Sequence, residues 1–204
     1  MTAARYQIIE CEQGSPEWRE ARRGLPTASR YGDVLAQGQG KMRNKYRRQL
    51  AAEIVSGKVM KAYTNAHMER GKEEEDEILM KYAFETDAKL QKVGFLRYTL
   101  MPTGCSPDGL VGNDGMVEVK SMLPELLVEL HETGKIPTEH IPQVQGGLWI
   151  TGRTWCDLVL GSPGLPSIVH RIPRDEPYMA GLQRELQYFI EEVTQLAKFL
   201  EGKR

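Results

Sequence analysis

The sequence Pro-Asp-Gly-Leu-Val-Gly-Asn-Asp-Gly-Met-Val-Glu-Val-Lys, residues 107–120, combines a turn, a glycine-rich reversal and a strand. Because side chains alternate between the two faces of a strand, Glu118 and Lys120 project from one face and the neighbouring valines from the other. If the segments on either side of the reversal pair as a hairpin, Asp108 lies beside Glu118. Bringing two carboxylates and an ammonium group together at one point reduces the stability of the fold unless they hold a divalent cation. A metal-dependent phosphodiesterase needs such an arrangement.

Each half of this stretch has an ordinary interpretation when taken alone. Ser106-Pro107-Asp108-Gly109 is a common turn sequence, and exposed strand faces often carry glutamate and lysine. The combination of the two halves at this separation is what favours a site over a solvated hairpin.

Length and charge limit the remaining possibilities. The 204 residues, of which 40% are hydrophobic and 27% charged, predict one globular domain spanning residues 1–204. The formal net charge of -1 provides no overall positive field for nucleic acid, so any such binding depends on local clusters, which could equally be solvated helix faces. The basic clusters are Arg19, Arg22, Arg23 and Arg30, and Lys41, Arg43, Lys45, Arg47 and Arg48.

The cysteines and the hydrophobic pattern indicate a soluble cytoplasmic protein. The three cysteines lie far apart in the sequence and show neither a disulfide framework nor the spacing of a zinc or iron–sulfur site. We expect no signal peptide, because the N-terminal residues lack a long apolar stretch, and no membrane span, because no apolar run approaches about eighteen residues.

Hydrophobic period and turn residues predict the order helices, three strands, two helices, two strands and a long helix. This order indicates an α/β domain built on a mixed sheet. Residues 37–40 are predicted to form a flexible polar break. The predicted helices cover about 16–23, 27–36 (or 29–36), 42–56, 65–85, 124–133, 141–150 and 176–200, and the predicted strands cover 90–98, 103–111, 116–120, 155–160 and 168–172.

One residue of the acidic run 73–77 has an unusual predicted position. Most of the run points outward, but helical spacing places Glu75 in the middle of the buried face, with Ile78, Leu79 and Tyr82. A buried carboxylate needs a partner or a metal. The alternative is a rotated helix with Glu75 at a solvated edge.

The predicted helix after Pro142 contains two glutamines. Gln145 shares a stripe with apolar residues, so periodicity favours Gln145 as the buried one, but periodicity does not decide which of Gln143 and Gln145 faces a site. Gly146 and Gly147 in the same helix indicate tight packing.

Taken together, these motifs resemble the phage lambda exonuclease family, the YqaJ-type viral recombinases of the PD-(D/E)xK nuclease superfamily. The resemblance runs from about Gly14 to the C-terminal helix and implies a single restriction-endonuclease-like domain with a central mixed β-sheet flanked by helices. The matches, in order, are Trp18 with Arg22 and Thr27-Ala28-Ser29, Gly71-Lys72 with Glu75, Cys105-Ser106-Pro107-Asp108-Gly109-Leu110, Glu118-Val119-Lys120, and Gln143-Val144-Gln145.

The resemblance implies a role for each matched site residue. Asp108, Glu118 and the backbone carbonyl of Val119 match the metal ligands. The residues matched to catalysis are Lys120, Glu75 and Gln143. For the glutamine, the family match to Gln143 overrides the preference for Gln145 that helical periodicity gives.

The resemblance also implies a pocket for the 5′-phosphate of a DNA end. Arg22 and Ser29 match residues of this pocket, and Trp18 is assigned to DNA binding with them. The family has a further arginine just downstream, where this chain has residues 37–41, so Lys41 or Arg43 is expected to substitute for it.

The activity implied by the resemblance is 5′-to-3′ digestion of one strand of linear double-stranded DNA to mononucleotides. The expected cofactor is Mg²⁺, with Mn²⁺ able to substitute, at one or two ions per active site. A ring-shaped homotrimer and a single-strand annealing protein as recombination partner are also implied. The alternatives are a structure- or sequence-specific endonuclease of the same superfamily and a non-catalytic module that binds DNA ends.

Overall fold

A computed structural model of the chain describes residues 4–36, 40–60 and 66–203, with side chains except those of 66–70 and 72. Residues 37–39 of the predicted polar break, and Asn65 at the start of the predicted fourth helix, lie outside these ranges. The helices are α1 (Pro16–Ala21), α2 (Tyr31–Leu35), α3 (Lys41–Ser56), α4 (Ala66–Thr86), α5 (Pro124–Thr133), α6 (Ile141–Thr151) and α7 (Glu176–Glu201). The strands are β1 (Tyr6–Ile9), β2 (Leu90–Gln91), β3 (Phe95–Tyr98), β4 (Gly104–Cys105), β5 (Gly109–Val111), β6 (Gly115–Ser121), β7 (Trp155–Gly161) and β8 (Ile168–Pro173).

The helix ends follow the residues that predicted them. The Ser15 hydroxyl caps α1 by accepting a hydrogen bond from the Trp18 N–H at 3.1 Å, and proline occupies the first turn of the helix. Gly57 ends α3 with φ 66°, a left-handed conformation that glycine adopts without steric cost. Ala28–Arg30 forms a 3-10 turn directly before α2, so the predicted helix over 27–36 consists of two pieces.

The strands form two sheets. β2, β5, β6, β7 and β8 lie side by side in this order, and β1, β3 and β4 form a smaller antiparallel sheet. Only the β6–β7 pair of the larger sheet is parallel, so the predicted mixed sheet is confirmed.

Two of the predicted strands are wrong as continuous elements. The predicted strand 90–98 is divided into β2 and β3, and the predicted strand 103–111 is divided into β4 and β5, with one half in each sheet. The break between β2 and β3 includes Gly94, where a Cβ atom would lie 2.4 Å from the Cys11 carbonyl oxygen. The chain therefore passes between the sheets twice, at residues 92–94 and at residues 106–108.

Helices cover both faces of the larger sheet. On one face, Val117 and Val119 of β6 pack with buried apolar residues of α4. On the other face, Met116 of β6 belongs to the main core, which includes buried residues of α6 and α7. Glu118 and Lys120 share this second face with Met116, as alternation along the strand predicts. No helix of the described residues is both long enough and apolar enough to span a membrane.

Candidate active site

The hairpin of β5 and β6 brings the two predicted carboxylates together. Gly109 is paired with Val117, so Asp108, the residue before β5, lies beside Glu118. Glu118 is buried, with 3% of its surface exposed, and Asp108 is half-buried. The sequence prediction that the hairpin places these residues side by side is confirmed.

Hydrogen bonds fix one oxygen of each carboxylate. Asp108 Oδ2 accepts a hydrogen bond from the Val119 N–H at 2.7 Å. Glu118 Oε1 accepts one from Lys120 Nζ at 2.6 Å and another from Gln143 Nε2. Because the N–H and C=O of one strand residue point to the same side, the Val119 carbonyl is also directed toward the side of Asp108.

The proximity of these charges perturbs their ionisation. Burial and then the negative charge of Glu118 raise the pKa of Asp108 to about 7. Burial also raises the pKa of Glu118, with Glu75 adding to the rise and Lys120 opposing it. Burial lowers the pKa of Lys120, but the charges of Glu118 and Asp108 outweigh this effect and leave it above its ordinary value. A bound cation would relieve the repulsion between the two carboxylates.

The donor set suits a hard divalent cation. Within residues 4–36, 40–60 and 66–203, no group of three or more His, Cys, Asp or Glu side chains is arranged to hold a metal ion. The chain instead offers two carboxylates and the Val119 carbonyl. Mg²⁺ keeps several water ligands and is commonly bound by only one or two carboxylates, so these residues fit Mg²⁺.

Glu75 lies next to this cluster on α4. It lines a cavity of about 380 Å³ together with Asp108, and its charge contributes to the raised pKa of Glu118. Ile78, Leu79 and Tyr82 are buried as predicted, but Glu75 itself is half-buried. The prediction that it lies in the middle of the buried face is therefore wrong, because its turn of the helix borders the cavity.

The two glutamines of α6 have different hydrogen-bond partners in the fold. Gln145 is buried, donates to the Pro173 carbonyl at 2.9 Å and accepts from the Asp175 N–H at 3.0 Å. It therefore ties α6 to the start of α7, and periodicity predicted its burial correctly. Gln143 contacts Glu118 instead, in the position that the family resemblance implied.

Arg22 forms the centre of a second cluster. Its guanidinium group lies 3.8 Å from the centroid of the Trp18 ring, and its Nη2 donates to Thr27 Oγ1 at 3.0 Å and to Ser29 Oγ at 3.3 Å. Burial lowers the pKa of Arg22 to about 10. Among the residues that the structure describes, no carboxylate forms an ion pair with this guanidinium.

The Arg22 cluster lies beside the group formed by Asp108, Glu118 and Lys120, which we call the carboxylate cluster. One small cavity is lined by Arg22 and Ser29 and also by Glu118 and Gln143. The structure thus brings two predicted phosphate-binding residues and two predicted active-site residues to the same cavity.

Two side chains, Trp18 and Gln13, make contacts around the Asp108 loop that were not predicted. Trp18 Nε1 donates to Ser106 Oγ at 2.9 Å. Gln13 Nε2 donates to the carbonyl oxygens of Val93 and Pro107, each at 3.0 Å. The Gln13 contacts join residues 80 and 94 positions apart, and neither hydrophobic period nor a local motif reveals such pairs.

The structure does not bring Arg43 to the Arg22 cluster. Arg43 Nη1 and Nη2 donate to the two carboxylate oxygens of Glu192 on α7, at 2.6 and 3.1 Å. Because this ion pair holds the Arg43 guanidinium against α7, the expectation that Arg43 could join the phosphate pocket is corrected. Lys41 is exposed at the first position of α3.

The comparisons with known proteins give first the class of protein, because a family model and the structure of an alkaline exonuclease both match the chain over most of its length. The model of the YqaJ-like viral recombinase domain matches residues 17–154. The chain therefore belongs to the YqaJ-like viral recombinase domain family. This membership makes the protein a nuclease, which is a hydrolase, and confirms the resemblance to the phage lambda exonuclease family.

The structural matches extend over nearly the whole chain. An alkaline exonuclease, LHK-Exo from Laribacter hongkongensis, is 34% identical with a TM-score of 0.84, covering 93% of this chain and 97% of that chain. LHK-Exo in complex with dAMP gives 34% identity and a TM-score of 0.85 over the same shares of the two chains. A phage-related exonuclease from Haemophilus somnus 129PT, at 12% identity and a TM-score of 0.63, covers 88% of this chain and 96% of that chain and supports the fold alone. A comparison with curated proteins gives no significant match.

Proposed function

We propose that the protein is a Mg²⁺-dependent exonuclease that digests one strand of linear double-stranded DNA from its 5′ end. The products are mononucleotides and a 3′ single-stranded overhang. The observation that carries the proposal is the cavity shared by Arg22, Ser29, Glu118 and Gln143, because a terminal phosphate bound there lies beside the carboxylate cluster. The known complex of LHK-Exo with dAMP, a mononucleotide, supports the assignment of product.

In this proposal the carboxylate cluster holds the cation. Asp108, Glu118 and the carbonyl of Val119 are the ligands, with one or two ions per site and Mn²⁺ able to replace Mg²⁺. When bound, the cation supplies Lewis-acid polarisation of the phosphate and a bound water of lowered pKa.

The remaining side chains act on the scissile phosphate and the attacking water. Lys120, held against Glu118 at 2.6 Å, stabilises negative charge that develops on the phosphate. Gln143 holds the orientation of Glu118 through its side-chain amide. Glu75, across the cavity that it shares with Asp108, orients the attacking water or helps to hold a second ion.

The Arg22 cluster gives the reaction its direction along the strand. Arg22 and Ser29 bind the 5′-phosphate by charge-assisted hydrogen bonds, and Trp18 holds the guanidinium group in place by stacking against it. Lys41 is the remaining candidate for the third contributor to this pocket, beside Arg22 and Ser29. With a 5′-phosphate anchored there, the next linkage would lie beside Glu118, on the far side of the shared cavity, so nucleotides would be removed one at a time.

The assembly and the partner are proposed from the family resemblance alone. The protein forms a ring-shaped homotrimer threaded by DNA and works with a single-strand annealing protein in recombination. A ring would concentrate the basic clusters of a nearly neutral chain around the duplex.

The experiment that tests the proposal uses linear duplex DNA labelled at each end in turn, incubated with Mg²⁺ or with chelator. We expect shortening of the strand from its 5′ end with Mg²⁺ only, and no change in covalently closed circular DNA. Cleavage of the closed circle would favour an endonuclease, and shortening from the 3′ end would refute the assigned direction.

The phosphate pocket is tested by Arg22→Ala, with Arg97→Ala as the matched control because Arg97 is exposed on β3. Arg22→Ala should slow digestion of 5′-phosphorylated ends at least tenfold more than digestion of 5′-hydroxyl ends, about 1.4 kcal/mol of discrimination. Equal slowing of both substrates would remove Arg22 from the pocket.

A further inference from the structure

A large cavity separate from both clusters lies between α2, α3 and α7. Its volume is about 1110 Å³, and it shares no lining residue with the cavities of Arg22 and Asp108. Its walls carry four arginines, and we refer to this site as the arginine groove. The arginines are Arg43, Arg47 and Arg48 of α3 and Arg184 of α7.

Positive charge in the arginine groove is only partly balanced. Among the described residues that line it, four arginines face two glutamates, Glu185 and Glu192. Glu192 is engaged by the bidentate ion pair with Arg43. In the part of the chain that the structure describes, Arg47, Arg48 and Arg184 form no ion pair. A wall with an excess of unpaired guanidinium groups favours an anionic ligand.

The Nε atom of Arg47 gives a second indication of a ligand. It is buried and has no hydrogen-bond partner among the described residues. Buried polar groups in folded proteins nearly always have a partner, so an exception calls for an acceptor from outside the chain. A phosphate group is such an acceptor.

The arginine groove is connected to the pocket of Arg22 through an aromatic pair. The Thr27 N–H donates to the Tyr46 hydroxyl at 3.0 Å, and the Tyr46 ring stacks on Phe189 with centroids 5.5 Å apart. The Arg43 guanidinium lies 5.2 Å from the centroid of the same Phe189 ring. The groove therefore lies on the other side of this pair from the residues that contact Arg22.

We propose that the arginine groove binds phosphates of the DNA backbone at a second place, outside the cleft that receives the 5′ end. The proposal rests on the proposed exonuclease function and adds a site to it. Guanidinium groups from two helices, spread around a volume far larger than one phosphate, suit a polyanion such as a nucleic-acid backbone. Backbone contacts of this kind position the DNA without reading its sequence, so the groove would retain the substrate between successive cleavages.

The test uses Arg48→Gln combined with Arg184→Gln, because both side chains are exposed and their replacement leaves the core intact. The control combines Arg97→Gln with Lys203→Gln, which makes the same charge change at exposed positions that do not line the groove. Binding of a fluorescent duplex is measured by anisotropy in chelator over a range of salt concentrations, and oligomeric mass by sedimentation.

We expect the groove variant to bind about tenfold more weakly than the control, and the slope of log K against log salt to fall by about 2, roughly 0.9 for each lost phosphate contact. The rate at saturating DNA should stay within about twofold of the wild-type rate. Binding and salt dependence equal to those of the control would overturn the proposal. A loss of oligomeric mass in the groove variant alone would also overturn it, by identifying the groove as a subunit interface.

This outcome is distinct from failure of the proposed function. Wild-type protein that binds duplex DNA but does not digest it with Mg²⁺ would refute the exonuclease while leaving the binding comparison valid. Normal digestion by wild type, with identical binding by the groove and control variants, would refute the groove alone.

Discussion

Each carboxylate of the Asp108–Glu118 pair uses one oxygen to hold its place in the fold. Asp108 Oδ2 accepts from the main chain of Val119, and Glu118 Oε1 accepts from Lys120 and Gln143. Within the described residues at 4–36, 40–60 and 66–203, the other oxygen of each carboxylate accepts no hydrogen bond. The pair is thus oriented by the protein and keeps one oxygen on each side chain for a ligand.

Replacing Asp108 with Asn removes one of two neighbouring negative charges but keeps an oxygen that can accept from the Val119 N–H. We expect Asp108→Asn to abolish cleavage, because a metal ligand is lost, and to stabilise the cation-free fold by on the order of 1 kcal/mol, because buried like charges repel. Denaturant unfolding in chelator measures the second effect, with Asp114→Asn as control because Asp114 is exposed in the hairpin turn. Added Mg²⁺ should raise the free energy of unfolding of the wild type and leave that of Asp108→Asn unchanged. Retained cleavage by Asp108→Asn would contradict the assignment of Asp108 as a metal ligand.

At the scale of elements, glycines of α6 set how closely this helix approaches its neighbours. A Cβ atom at Gly146 would lie 2.4 Å from the ring of Tyr31, and one at Gly147 would lie 2.6 Å from Cε of Met116. Tyr31 is fully buried and hydrogen-bonded to Thr103, so its ring has little room to move. The same close approach places Gln143, at the start of α6, against Glu118.

Gly146→Ala is therefore expected to destabilise the protein by about 1–3 kcal/mol, the range typical of overpacking in a core. The matched control is Gly181→Ala, because Gly181 lies inside α7 and a Cβ atom there meets nothing within 4 Å. That change should stabilise by about 0.5–1 kcal/mol through helix propensity. Urea unfolding of both variants measures the two shifts, and equal shifts of the same sign would contradict the packing explanation.

Local signals explain which elements the sequence predicts and which it does not. Helices α1, α5, α6 and α7 have proline in the first turn, and α3, α5 and α6 end at a glycine with positive φ, so the limits of these helices agree closely with prediction. The strands of the smaller sheet depend on pairing with residues far along the chain, as β3 pairs with β1. No local pattern in the sequence predicted β1 or the division of residues 90–98 into two strands.

The same distinction applies to the candidate site. Alternation along one strand is enough to place Glu118 and Lys120 on one face, and the hairpin then brings Asp108 beside them. Gln143 could be assigned only through the family resemblance, because periodicity reports burial and favoured Gln145. The sequence offers Arg43 as an alternative to Lys41 because its partner, Glu192, lies 149 residues away in the sequence and local patterns do not reveal the pairing.

At the scale of the whole molecule, the site lies where the chain crosses between the two sheets. The crossing at 106–108 carries Asp108, and the crossing at 92–94 runs beside it. Gln13, in the segment between β1 and α1, donates one hydrogen bond to each crossing, at the carbonyls of Val93 and Pro107. One side chain therefore links the two connections between the sheets and holds the loop of a proposed metal ligand beside residues 92–94.

Gln13→Ala should loosen this junction without removing any proposed ligand. We expect a loss of about 1–3 kcal/mol in the free energy of unfolding, from two hydrogen bonds of about 0.5–1.5 kcal/mol each. The Mg²⁺ concentration for half-maximal activity should rise several-fold, since the Asp108 loop is less well oriented, while the rate at saturating Mg²⁺ should fall less. Gln183→Ala, at an exposed position on α7, is the control and should change neither quantity. If Gln13→Ala lowered stability but left the Mg²⁺ requirement as in wild type, Gln13 would hold the two sheets together without orienting Asp108.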